Sequence, residues 1–217
     1  MGQREGERDQ QGKEYILVQA QSSLPSPTPR GVQQYSASMT LEVVLATRDD
    51  VADLVALVNS AYRGPSSREG WTYEADLLGG QRTDIEGLLA FIDRSVATSE
   101  CFMLVGRIEG AVNACVQLER KGEQAYLGML SVRPSRQAQG LGRQVLAAAE
   151  RCVSEQWQTT AIVMTVIVQR TELIEWYIRR GFVLTSERSP FPYGDVRFGE
   201  PKVADLEFVV MKKDLAS

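Results

Sequence analysis

One stretch restricts the fold more than any other. Residues 126–150, YLGMLSVRPSRQAQGLGRQVLAAAE, start as an apolar strand, pass through a polar bend and continue as a helix. Tyr126 to Val132 suits a strand, and Pro134 stops it because proline has no N–H to give to a ladder. Beyond the bend, Val145, Leu146, Ala149, Cys152, Val153 and Trp157 recur at helical spacing. Gly140 and Gly142 sit where the loop becomes the helix. Glycine lets a ligand approach the backbone, and the first turn of a helix presents unpaired N–H groups at its positive end. That arrangement suits a phosphate or pyrophosphate. A helix entry that only needs unusual dihedrals would carry the same two glycines. No Gly-Lys-Ser/Thr follows, so a P-loop does not fit, and the glycine spacing is wrong for a dinucleotide fingerprint.

The remaining composition narrows the chemistry. The chain has no histidine, which excludes a His-dependent triad, a His general base and His-ligated metal. Proton transfer then falls to Glu, Asp, Tyr, Cys or water. Cys101, Cys115 and Cys152 have no metal-type spacing and leave an odd one over. Cys115 and Cys152 lie on apolar periodic faces, as buried thiols do. Nothing requires an oxidising compartment, so a cytoplasmic location is expected. The net charge of −4 argues against a nucleic-acid binder, and no apolar run reaches membrane-spanning length.

Residues 1–38, rich in Gly, Gln, Ser and Pro, read as a disordered N-terminal arm, with one domain over 39–217. Along that domain, Leu41 to Ala46 reads as a strand. A helix follows, capped by Asp49 or Asp50, with Val51, Leu54, Val55, Val58 and Tyr62 on one face. A long polar stretch runs from Arg63 to Arg82. Thr83-Asp84-Ile85-Glu86 is a capping box for a second helix that aligns Ile85, Leu88, Leu89, Ile92 and Val96. Strands at 101–107, 111–120 and 126–132 come next, the last two joined by a turn at Lys121 to Gln124. The helix at 141–157 leads to a strand at 160–168, then a helix at 171–180 with Leu173, Ile174, Tyr177 and Ile178 inward. Gly181 ends that helix; a strand at 182–187, a loop at 189–202 and a strand at 205–211 complete the chain. The order is β-α-α-β-β-β-α-β-α-β-β, a mixed α/β pattern.

Val132-x-Pro134-x-x-Gln137-x-x-Gly140-x-Gly142 resembles the acetyl-CoA signature of the GNAT superfamily of N-acyltransferases, whose core is Gln/Arg-x-x-Gly-x-Gly/Ala. The element order over about 41–213 resembles that family too. The resemblance implies a mixed, mostly antiparallel twisted sheet flanked by about four helices. A second match, Tyr177-Ile178-Arg179-Arg180-Gly181-Phe182, is similar to the family's Tyr-x-x-x-Gly-Phe segment. It implies that Tyr177 is the acid toward the leaving thiolate; an aromatic core residue with a bonded hydroxyl is the plain alternative. The family commonly has Asn seven residues before this tyrosine, where this chain has Arg170. The resemblance also implies that backbone groups of Leu130, Ser131 and Val132 hold the acetyl carbonyl and pantetheine arm. Gln137, Ala138, Gln139, Gly140, Leu141 and Gly142 would cradle the pyrophosphate, with Arg143 adding charge. The strand must splay from its neighbour to admit pantetheine.

Acetyl transfer to an amine has a proton problem. An alkyl ammonium with pKa near 10.4 lies about 3 units from neutrality, roughly 4 kcal/mol. Several family members place a Glu on the motif strand to offset this; Tyr126 holds that position here. If the hairpin turn is Lys121 to Gln124, Glu119 faces Tyr126 on one face about 5 Å away. Glu119 is therefore the candidate base, against the reading of a solvated strand-end carboxylate. Trp71, Tyr73 and Glu74 are candidates for holding a cationic amine, with Tyr126 beside them; a mobile connection with solvated acids is the plain alternative.

The expected function is acetyl-CoA-dependent N-acetylation of a primary amine of a small molecule or amino acid, by direct attack in a ternary complex. Acetyl-CoA is the cosubstrate, and no metal is expected. Expected partners are the amine alone, without nucleic acid or membrane; a homodimer stays open. Two alternatives stand beside it: a protein N-terminal or lysine acetyltransferase, and a non-catalytic acyl-CoA-binding regulatory module.

Overall fold

The structure is a computed structural model that describes residues 40–195 and 198–215. The N-terminal arm read from the sequence lies outside the described residues. The chain orders as β1 (Glu42–Leu45), α1 (Val51–Tyr62), β2 (Leu78–Gly79), α2 (Ile85–Thr98), β3 (Cys101–Ile108), β4 (Ala111–Lys121) and β5 (Gln124–Val132). It continues with α3 (Leu141–Trp157), β6 (Ala161–Ile167), α4 (Thr171–Ile178), β7 (Val183–Pro190), β8 (Glu200–Pro201) and β9 (Glu207–Asp214). Seven strands form one sheet in the order β1-β3-β4-β5-β6-β9-β7, antiparallel except where β5 meets β6. The mixed, mostly antiparallel sheet with four α-helices agrees with the sequence reading.

Alternation along the central strands supplies two cores. Leu104, Val116, Leu118 and Leu127 face α3 and α4, where Val145, Leu146, Ala149, Ile174 and Tyr177 pack. Met103, Val105 and Cys115 face the other way, onto Leu54, Leu57 and Val58 of α1 and Leu88 and Ile92 of α2. One face of the sheet therefore takes the N-terminal helices and the opposite face takes the later ones. The Trp157 ring stacks on Phe102 with centroids 4.9 Å apart, and its indole N–H donates to the Ser99 carbonyl at 2.7 Å.

Several local readings change. Asp84, not Thr83, caps α2, its side chain accepting the Gly87 N–H at 2.7 Å. Ile85 and Val96, aligned on the helical wheel, are exposed at the two ends of α2, beyond the reach of the sheet. Ile178 is also exposed, because α4 stops there. Cys152 is only half-buried. The loops 63–82 and 189–202 contain one unexpected element: β2 and β8 pair antiparallel as a two-stranded flap. Leu78 of that flap packs with Ile167, Phe191 and Leu206, over the end of the main sheet. Among the described residues, no helix is long and apolar enough to cross a membrane, and no group of three or more Cys, Asp or Glu could hold a metal ion.

Candidate active site

The site begins where two parallel strands separate. β5 pairs with β6 only from Gln124 to Tyr126, opposite Ala161 to Val163. Beyond that point β6 continues along β9 to Ile167 while β5 stays with β4 to Val132. The β4–β5 register shifts between Cys115 and Gln117, and Met129 there has φ +45°. A bulge bends its strand, so the splay has a local cause. It leaves Leu130 to Val132 without a neighbour on one side.

A cleft of about 220 Å³ opens there, bounded by Leu130, Ser131, Val132, the 137–143 bend and Trp176, Tyr177 and Arg180 of α4 and its end. Gly140 is the residue before α3 and has φ +82°; a Cβ built on it meets nothing within 4 Å. Only glycine adopts that conformation without strain, and the space above it is open. The N–H groups of Gly140 to Arg143 have no acceptor among the described residues. Arg143 and Arg180 reach the same cleft. Burial, followed by the charges of Arg179 and Arg143, pulls the Arg180 guanidinium down from its usual range. The Arg180 Nε is buried without a partner, and the guanidinium lies 3.4 Å from the Trp176 ring centroid. Free N–H groups at a positive helix end, two arginines and an orphaned donor suit a pyrophosphate.

Two signature residues serve differently from the expectation. The Gln137 side chain accepts the Trp71 N–H at 3.0 Å and donates to the Val132 carbonyl at 3.2 Å. It lies so close over Gly70 that a Cβ there would come within 2.5 Å of Gln137 Oε1. Gln137 is thus a brace between the 63–82 stretch and the strand end, on the wall of the cleft. Gln139 lies outside the cleft, its side chain donating to the Ser135 carbonyl at 3.4 Å. Ala138, Leu141, Gly142 and Arg143 line the cleft. The Ser131 hydroxyl is buried and bonded to the Met129 carbonyl at 3.1 Å.

A second cleft adjoins the first, and both share Tyr62, Leu130, Arg170, Leu173 and Tyr177 as walls. Its own lining includes Arg63, Glu74, Arg82, Tyr126, Thr165, Phe191, Phe198 and Phe208. Tyr177 stands at the junction. Its ring meets Trp176 and Phe182 edge-on at 4.9 and 5.4 Å, and its hydroxyl has no hydrogen-bond partner among the described residues. Burial raises its pKa well above the usual phenol value. Tyr62 beside it is pushed up to about 12, again chiefly by burial.

The acidic residues do not stand where the sequence suggested. Glu74 lines the second cleft, but both its oxygens are occupied: Oε2 by Arg63 at 3.2 Å and Oε1 by Arg170 at 2.9 Å. The three side chains are 9, 4 and 8 % exposed respectively, so this is a closed buried network and not a seat for an ammonium. Arg170, in place of the family's Asn, also donates to Thr72 Oγ1 at 2.8 Å, while its Nε is buried without a partner. Glu119 does pair opposite Tyr126, but it lines neither cleft. Arg94 at 3.0 Å, Lys121 at 3.4 Å and the Gln117 amide at 2.8 Å occupy its carboxylate. The base role fails on position and on occupancy. Tyr73 lines neither cleft and lies under Arg68, and Trp71 belongs to the first cleft, 6.3 Å from Trp176. Tyr126 does line the second cleft, its hydroxyl 3.0 Å from Thr165 Oγ1.

Tyr62, Arg63, Arg82, Trp176 and Arg180 were missed. The Arg179-Arg180 pair, which follows Tyr177 after Ile178, is a readable signal for the last. The others are fixed by contacts between distant segments and leave no pattern.

Splayed parallel strands thus open onto a glycine-led helix, with a buried tyrosine between two clefts. The acetyltransferase (GNAT) domain family matches residues 98–184, which include β5, the bend, α3 and α4. That match falls on the part of the chain that carries both motifs. Similar solved structures include yncA from Salmonella typhimurium with its cofactor acetyl-CoA, at 18% identity and TM-score 0.61, covering 82% of this chain and 95% of that one. PaiA N-acetyltransferase from Thermoplasma acidophilum, in complex with coenzyme A, matches at 16% identity and TM-score 0.59, covering 81% and 99%. Ribosomal-protein-alanine N-acetyltransferase from Brucella melitensis matches at 18% and 0.61, covering 80% and 99%. A search by sequence among curated proteins gave no match.

Proposed function

We propose that the protein is an acetyl-CoA-dependent N-acetyltransferase acting on the primary amine of a small molecule. The observation that carries this reading is the meeting of the two clefts at Tyr177. The first cleft would hold the cosubstrate. The pyrophosphate would lie on the N–H groups of Gly140 to Arg143 with Arg143 and Arg180, and the pantetheine arm along Leu130 to Val132. When bound, acetyl-CoA supplies a thioester carbonyl carbon open to a neutral amine: the C–N bond forms and the C–S bond breaks. Tyr177 keeps its proton at neutral pH because burial disfavours the phenolate. It donates that proton toward the sulfur as charge develops there, and the proton given up by the amine restores it. Holding both reactants at one junction contributes as well, by removing the entropy of encounter.

A small acceptor is favoured over a protein chain by the cover on the second cleft. Arg63 Nη2 donates to the Phe198 carbonyl at 2.8 Å, and the Lys202 N–H to the Leu77 carbonyl at 2.9 Å. These bonds tie the 63–82 stretch to the loop around β8, which supports a small acceptor over an extended peptide. The test is thiol release from acetyl-CoA with a panel of amines, read alongside CoA binding. Release with at least one small amine is expected. CoA binding without release for any amine would leave the acyl-CoA-binding module as the better reading.

A further inference from the structure

We propose that the acceptor carries a carboxylate beside its amine, held in the second cleft by Arg82, with its apolar part against Phe191, Phe198 and Phe208. This rests on the acetyltransferase reading above.

The charges lining that cleft decide the class. They are Arg63, Arg82 and Arg170 against a single carboxylate, Glu74. Glu74 is consumed by Arg63 and Arg170, so no acid remains to greet a cation. Arg82 differs from the other two arginines. It has no ion-pair partner among the described residues, and its guanidinium meets only the Tyr62 ring, 5.5 Å to the centroid. Its backbone is fixed nonetheless. The N–H groups of Arg82 and Thr83 donate to Asn59 Oδ1 at 2.7 and 3.2 Å, and Asn59 Nδ2 donates to the Thr83 carbonyl at 2.8 Å. The side chain is therefore presented from a clamped point at the C-terminal end of α1. The buried, unpartnered Nε of Arg170 adds a second donor at the junction of the clefts. A planar guanidinium with unused N–H groups matches a carboxylate in two parallel hydrogen bonds.

The same charges bear on the missing base. An ammonium group entering a cleft where three guanidinium groups stand against one carboxylate meets net positive charge, which favours its neutral form. An amine that arrives tethered to an anion is drawn in by Arg82 and loses its proton to water more readily than in bulk solvent. The cationic wall then does part of what a carboxylate base does in several family members. A polyamine or an aminoglycoside brings only positive charge and would be repelled.

The experiment compares amino acids with their decarboxylated partners: L-phenylalanine with phenethylamine, and L-leucine with isoamylamine. Thiol release gives kcat/KM for each, in the wild type, Arg82→Gln and Arg82→Lys. The acid of each pair is expected to exceed the amine by at least about tenfold. That ratio should fall about tenfold or more in Arg82→Gln, mainly through KM, and return in part in Arg82→Lys. A ratio near one in the wild type, or a ratio that Arg82→Gln leaves in place, overturns the proposal. A binding arm separates it from the acetyltransferase reading. Calorimetry of CoA-loaded protein with N-acetyl-L-phenylalanine and with N-acetylphenethylamine needs no turnover. Tighter, Arg82-dependent binding of the first supports the anion subsite even if no thiol is released, in which case the acetyltransferase reading alone fails. Equal binding of the two, or no binding of either, overturns the subsite.

Discussion

Replacing Tyr177 by phenylalanine removes one oxygen on which no contact of the fold depends. The hydroxyl has no partner among the described residues, and the ring keeps its edge contacts with Trp176 and Phe182. The stability change should stay within about 0.5 kcal/mol, a shift in Tm below about 2 °C. Catalysis should change far more. A positioned general acid contributes about 10²–10⁴-fold, or about 3–5 kcal/mol of barrier. The expected result is a kcat lower by at least about 100-fold in the thiol-release assay, with CoA affinity within about twofold by calorimetry. Because burial raises the Tyr177 pKa, the wild-type rate should not fall with loss of this proton until well above pH 10. A Tyr177→Phe enzyme with kcat near wild type, folded and binding CoA, would refute the role of the hydroxyl and the argument from the junction of the clefts.

Other variants test the remaining parts. Glu119→Gln should leave kcat within about twofold at every pH between about 6 and 9, since Arg94, Lys121 and Gln117 hold that carboxylate outside both clefts; a lost basic limb in the pH–rate profile would restore it as the base. Gly140→Ala should cost about 1 kcal/mol of stability through its positive φ, and should raise the CoA dissociation constant at least about tenfold by filling the open space over the helix start; unchanged CoA affinity by calorimetry would remove the cradle. Glu74→Gln leaves Arg63 and Arg170 buried without their anion, a loss of about 3–5 kcal/mol, read as a fall in Tm of at least about 6 °C. The buried Cys115 thiol is pushed up to about 12 by burial, from 9.0. Its contribution to stability is whole below about pH 9, where the unfolded thiol is also protonated, and is lost as pH rises from about 9 toward 12. Tm should thus be level near neutrality and decline above about pH 9, less steeply in Cys115→Ala.

Local patterns carried the fold a long way. Alternation and helical spacing placed the long elements, and the Lys121–Gln124 turn put Glu119 opposite Tyr126, as the register shows. What the pairing could not reveal is that Arg94 arrives from α2 and takes the carboxylate. The splay of β5 from β6 was supplied by the family resemblance; its local cause, the irregularity at Met129, has no sequence signal because a methionine stands where glycine would have marked the positive φ. The β2–β8 flap consists of two-residue strands and was invisible for that reason. The electrostatic sign of the second cleft was misread. Glu74 and Asp76 are plain in the sequence, but Arg170, 96 residues further along, closes on Glu74 only in three dimensions. Asp76 is paired with Arg68 at the surface. The stretch read as a seat for a cation therefore places Arg63 and Arg82, beside the paired Glu74, in the lining of the second cleft.

The most direct test of the account is a crystal structure of the protein with CoA and an N-acetylated product. It should show the pyrophosphate on the N–H groups of Gly140 to Arg143 and the CoA sulfur within about 3.5 Å of the Tyr177 hydroxyl, with the acyl amide at the junction and the rest of the product toward Arg82. A sulfur remote from Tyr177, or a product bound outside the cleft that Tyr177 shares with Arg82, would contradict it.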